Sequence, residues 1–187
     1  MADKVKFGIK NVHLFPITSY VSSTPTYGTV IDVPGAVSLA MSAQGDINKF
    51  YADNIVYYQS SANNGYEGDL SVALISDEVY ENIFGYSKDT NGVITEDASK
   101  EAKSFAMTFE EEGDTTGTKF VLYNCTATRP SRELNTIENT KAPTTQTLTV
   151  SAAPLKSGDV MAMTSATTPD GVKNAWHNNV YFAPTTP

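Results

Sequence analysis

Apolar and polar residues alternate in several separate stretches of this chain. Val37, Leu39, Met41 and Ala43 alternate with Ser38, Ala40, Ser42 and Gln44. Phe105, Met107 and Phe109 alternate with Ala106, Thr108 and Glu110, and Leu148, Val150 and Ala152 with Thr147, Thr149 and Ser151. Val72 and Leu74 do the same with Ser71 and Ala73. Successive side chains of a strand point to opposite faces, so each stretch predicts a strand with one buried face. Further strands are predicted at about 28–33, 54–60, 119–123 and 159–164. Pro34-Gly35, Asn64-Gly65, Asn91-Gly92 and Gly113-Asp114 supply turn chemistry between them. The chain is therefore expected to be mainly β.

One segment has a helical rhythm. Ser76 can cap free N–H groups, Asp77 and Glu78 suit the positive end of a helix dipole, and Gly85 can take the left-handed position after the last turn. Val79 with Ile83 and Tyr80 with Phe84 are i,i+4 pairs that form one apolar stripe. These signals predict a helix of about two turns. A second helical turn is weakly signalled at about 174–180.

Two stretches leave the strand rhythm. At 44–51, Gln44-Gly45-Asp46 interrupts the alternation and is followed by Phe50 and Tyr51. At 129–145, Pro130 and Pro143 accompany Arg129, Arg132, Glu133, Glu138 and Lys141 with few apolar groups. Loops this long in a small domain are usually functional or disordered. The end of the chain, 182–187, reads as an extended tail. No internal repeat or dividing linker is present, and 187 residues suit a single domain.

Charge narrows the partners. With 13 basic and 21 acidic residues the net charge is −8, which disfavours gripping nucleic acid through its phosphates. The one cysteine, Cys125, rules out an internal disulfide and a thiolate-rich metal site. In its strand context it reads as a buried, inert thiol. The charged start MADKVKFG lacks a secretory signal pattern, and the longest aliphatic run, at 72–75, is far too short to span a bilayer, so a soluble protein made in the cytoplasm is expected.

Catalytic chemistry is thin. His13 and His177 fit no metal-ligand spacing, and no GxSxG, P-loop or GxGxxG is present. The acidic run Glu110-Glu111-Glu112-Gly113-Asp114 reads as a solvated hairpin turn, with calcium binding the alternative. The loop from Lys88 to Gly92 lacks the full calcium-loop pattern and reads as a hairpin turn. No enzyme, no metal and no cofactor are expected. Phe50, Tyr51, Tyr57, Tyr58 and Tyr66 crowd into a short span with only Lys49 among them. Stacking on nucleic acid would need interleaved cations, so a protein interface fits this composition better.

Several segments, in order, carry a resemblance. These are Lys4-Val5-Lys6-Phe7-Gly8-Ile9-Lys10-Asn11-Val12-His13, Pro34-Gly35-Ala36-Val37-Ser38-Leu39, Phe50-Tyr51-Ala52-Asp53-Asn54, Gly65-Tyr66-Glu67-Gly68-Asp69-Leu70, and 122–130 from Leu122 to Pro130. Together, over about 4–155, they resemble the major tail proteins of long, non-contractile-tailed phages of Gram-positive bacteria. The resemblance implies a β-sandwich or half-barrel flanked by a helix. It further implies a virion tail subunit made in the host cytoplasm, closing six-membered rings that stack into a hollow tube. DNA would pass through the lumen without specific binding. Partners would be further copies of the chain, the tape measure, tail terminator and distal tail proteins, and no membrane. Contact with the next ring would fall on 44–54, through Phe50, Tyr51, Asp53 and Asn54. An N-terminal arm at 1–11 and the tail at 182–187 would brace neighbours. Arg129, Arg132 and Glu133 would serve between subunits. Glu67, Asp69, Glu110, Glu111, Glu112 and Asp114 are the acidic candidates for the lumen. Two alternatives stay open: the tube of a phage-tail-like bacteriocin or injection device, and a carbohydrate-binding β-sandwich using Tyr57, Tyr66 and Asp69.

Overall fold

The computed structural model describes residues 4–114, 116–132, 134, 136 and 144–184. The chain opens with an 18-residue strand, β1 (Lys4–Val21), followed by β2 (Thr24–Tyr27), β3 (Ile31–Asp32) and β4 (Ala36–Gln44). Next come β5 (Ile47–Ala52), β6 (Ile55–Ser61) and β7 (Gly65–Val72), then the helix α1 (Asp77–Asn82). After it follow β8 (Ser87–Lys88), β9 (Ile94–Thr95), β10 (Phe105–Asp114), β11 (Lys119–Ala127), β12 (Gln146–Ala152), β13 (Met161–Met163) and a second helix, α2 (Asp170–Ala175).

Among the described residues one antiparallel sheet runs β2-β1-β10-β11-β12-β7-β4, with β3 added to β1 and β13 to β11. The sheet curls until β4 returns toward β1. An open cavity of about 390 Å³ lies between them, lined by Gly8 and Ile9 on one side and Val37 and Leu39 on the other. The concave face holds the main core, where Val12, Leu14, Leu70, Val72, Phe105, Met107, Leu122, Leu148 and Val150 meet Val79, Ile83 and Phe84 of the α1 segment. A smaller core lies on the opposite face, where Trp176 and Leu155 of the C-terminal segment cover Phe15, Ala106, Val121 and Tyr123. The mainly β, sandwich-like architecture is the one expected.

The helix forms as predicted, with one exception. Gly85, at φ 71°, takes the left-handed position that ends it. Just beyond, Tyr86 N–H donates to the Tyr80 carbonyl at 3.1 Å and their rings stack, which closes the last turn. Ser76 stands at the N-cap position, but its side chain does not cap; its Oγ is buried without a partner. The second helix sits earlier in sequence than the signalled turn, and Trp176 lies just past it.

From Lys4 onward, the stretch expected as an N-terminal arm is part of β1, paired with β10 from Lys4↔Asp114 to Pro16↔Phe105. A register shift between Lys10 and His13, with Asn11 at φ 54°, flips which alternate residues face the core. Ile9 packs on the main core before the shift, and Val12 and Leu14 do so after it. That break in phase hides the strand from a simple period-two reading.

Candidate functional site

The stretch at 44–54 is not a loop. It is half of a regular β-ribbon that continues a pair already inside the sheet. β4 pairs with β7 up to Gln44↔Gly65. Asn64 N–H donates to the Gln44 carbonyl at 2.8 Å and Ala62 N–H to the Asp46 carbonyl at 3.0 Å, and β5 then pairs with β6 from Ile47↔Ser61 to Ala52↔Ile55. Gly45 marks the point where the ribbon leaves the sheet, and a Cβ there would collide with the Ala62 carbonyl. At about 3.3 Å per residue, the six residues of β5 carry the tip roughly 20 Å beyond the sheet.

Asp53 and Asn54 form the tip, at φ 51° and 63°. Two positive φ values in a two-residue turn match the right-handed twist of the flanking strands, and Asp and Asn tolerate them. A register shift between Phe50 and Tyr51 places Tyr57 at a bulge. Cross-strand partners share a face, so Phe50 and Tyr58 lie on one side and Tyr51 and Val56 on the other. Phe50, Tyr51, Ile55, Tyr57 and Tyr58 are each exposed to about 60% or more. The ribbon is thus apolar on both faces, and an isolated two-stranded hairpin is marginally stable in water. Ile55 and Val56 fall in the strand predicted at 54–60 but are not among the residues named for the contact. The two-residue Asp53-Asn54 turn between two apolar stretches was the signal that could have found them.

The other predicted residues scatter. Glu67 and Asp69 are exposed on the convex face of β7, among Ser42 and Ala40 of β4 and Ser151 and Thr149 of β12. Asp69 Oδ1 accepts a hydrogen bond from Thr149 Oγ1 at 2.7 Å. Glu112 is exposed, Glu111 half-buried, and Asp114 closes β10 opposite Lys4. Glu110 departs from the expected solvated turn. It is buried in phase with Thr108, 3.3 Å from Lys10 Nζ and 3.5 Å from Lys119 Nζ, and it accepts from Asn11 Nδ2 at 3.1 Å. Burial works against its charge, but the Asn11 amide and the two ammonium groups outweigh that and hold its carboxyl below the usual range.

In the long loop, Arg129 pairs with Glu96 of its own chain at 3.0 Å, Arg132 is exposed, and Glu133 lies outside the described residues. Of the tail, Phe182 stacks on Tyr123 and Tyr27, with ring centroids 5.1 and 6.1 Å apart, and 185–187 lie outside the described residues. The predicted hairpin turn at Asn91-Gly92 joins β8 to β9, and Asp89 Oδ1 accepts from Asn91 and Val93 N–H, both at 2.8 Å. The residues named for the carbohydrate-binding alternative, Tyr57, Tyr66 and Asp69, do not share one surface. Tyr57 is on the ribbon, Tyr66 packs against the main core, and Asp69 is on the opposite face of β7.

No protein-family model matches the chain, and no curated protein sequence does either. Among solved structures it is similar to the cap that terminates the tube of the anti-feeding prophage, at 13% identity and a TM-score of 0.46, over 86% of this chain and 93% of that one. It is also similar to a chain of the six-fold symmetrised anti-feeding prophage baseplate, at 11% identity and a TM-score of 0.43, over 90% of this chain and 99% of that one. Likeness at this level does not transfer a function from one chain to the other.

Proposed function

We propose that the chain is a structural, self-assembling subunit of a phage-type tail tube. Copies associate side by side into six-membered rings, and rings stack into a hollow conduit for DNA. One observation carries the reading: a ribbon projecting from the sheet with aromatic residues on both faces, among them Phe50, Tyr51, Tyr57 and Tyr58. Such a surface calls for cover from a partner. The order of sequence segments resembling phage major tail proteins supports making that partner another copy of the chain. Association of one patch with a different patch on the next copy is heterologous, and it closes into rings or propagates as a filament. The Glu67 and Asp69 side of the sheet, rich in Ser and Thr, suits a wall that must repel phosphates rather than hold them.

Electron microscopy of the purified full-length protein tests this. Tubes or six-fold rings are expected as concentration rises. A protein that stays monomeric by sedimentation at all accessible concentrations would overturn it.

A further inference from the structure

The C-terminal segment closes the smaller core, and a charged cluster lies beneath it. Trp176 is buried, stacks on Tyr181 with ring centroids 5.2 Å apart, and donates through Nε1 to the Phe120 carbonyl at 3.1 Å. The next residue, His177, meets groups from three strands. Its ring stacks on His13 of β1 at 4.8 Å, and its Nδ1 lies 3.0 Å from Thr108 Oγ1 of β10. Its Nε2 is buried without a hydrogen-bond partner and stands 3.7 Å from Glu110 Oε2. The charged and titratable groups facing it are Glu110 from β10, Lys119 from β11, and His13 and Lys10 from β1. Asp32 of β3 lies behind His13, with its Oδ1 3.3 Å from His13 Nε2.

We propose that the stacked His13–His177 pair is a proton-operated latch, holding the C-terminal segment on the sheet near neutral pH and releasing it on mild acidification. The two rings are too close to carry a charge each without repulsion. The Glu110 carboxylate, which could offset a new charge, is already shared between Lys10 and Lys119. His13 lines an open cavity of about 360 Å³ together with Lys10, Asn11 and Asp32, so solvent reaches the pair from that side.

Burial, then the Lys119 and His13 charges, hold His177 down at about 4 from its ordinary 6.5. The released segment, exposed to water, titrates near the ordinary value. Below 6.5 the released state therefore binds more protons, and docking weakens with falling pH until the docked ring itself titrates near 4. Between pH 7 and pH 5 the docking equilibrium is expected to fall roughly tenfold or more.

Trp176 is the single tryptophan, so its emission reports this segment alone. Emission of the full-length protein is followed from pH 8 to 4.5, with far-UV circular dichroism tracking the sheet and amide exchange tracking 170–184. A red shift below pH 6.5, with unchanged dichroism and faster exchange confined to that segment, is expected. His177→Phe keeps a ring on His13 but removes the titrating nitrogen, and it should abolish the shift. Where His177→Phe is already undocked at pH 7, His13→Phe removes the stacked imidazole that faces His177 and should reduce the emission change at pH 5. Emission that is flat from pH 7 to 5 in the native protein, or a pH curve unchanged in the variants, overturns the latch.

Discussion

Glu110 is a residue where strand phase and charge disagree, and phase decides. It alternates with Phe109 and follows Thr108 to the same face, so the strand carries its carboxylate inward and neighbouring lysines neutralise it. Its acidic neighbours in sequence suggested a solvated turn; the partners that bury it come from β1 and β11, a hundred residues before it and nine after it in the case of Lys10 and Lys119, and pairings of that kind leave no local trace. Glu110→Gln is expected to cost about 2 kcal/mol in urea denaturation, because two partly buried ammonium groups lose their counter-ion. The sign with pH follows from the lowered carboxyl. Its contribution is present above the ordinary carboxylate range and is lost as pH falls through the folded-state value, so the native protein and Glu110→Gln should converge in stability in acid. Cys125 was legible from its strand context alone. It is fully buried, burial pushes its thiol up, and a thiol reagent should label it only when the chain opens, with rapid labelling in urea and protection in buffer.

At the scale of elements, alternation found the strands that keep one phase, such as β10 and β12, and most of β4, where a register shift between Ala36 and Ser38 leaves Val37 exposed. It failed where phase breaks, at Asn11 in β1, and where both faces are apolar, in β5. A strand that rests on no core of its own chain has no buried face to impose a period, so the Phe50–Tyr51 pair read as a loop. The ribbon still lay in the stretch where an interface was expected. Replacing 45–64 with a tight two-residue turn should leave Gln44 and Gly65 paired. Circular dichroism should then show a folded domain, and microscopy should show no tubes. Phe50→Asp should weaken assembly by at least about 2 kcal/mol, as loss of an aromatic anchor does. Lys88→Asp, in an exposed ion pair with Asp77, should leave assembly nearly unchanged. Equal assembly of the two variants by light scattering would argue against the ribbon as the contact.

For the molecule as a whole, the curled sheet divides the chain's surfaces by task. The concave side holds the main core, and the C-terminal segment covers one half of the convex side. The other half shows Ser, Thr and carboxylates, and the ribbon projects from the β4–β7 end. Because ribbon and sheet share one backbone, a pull at Asp53 runs lengthwise down β4 and β7. It meets the rungs between them, and those joining β7 to β12, all together and in shear. A peeling force breaks rungs singly, whereas this direction makes them fail as a set, so the mount resists a lengthwise pull on the ribbon far better than a sideways one.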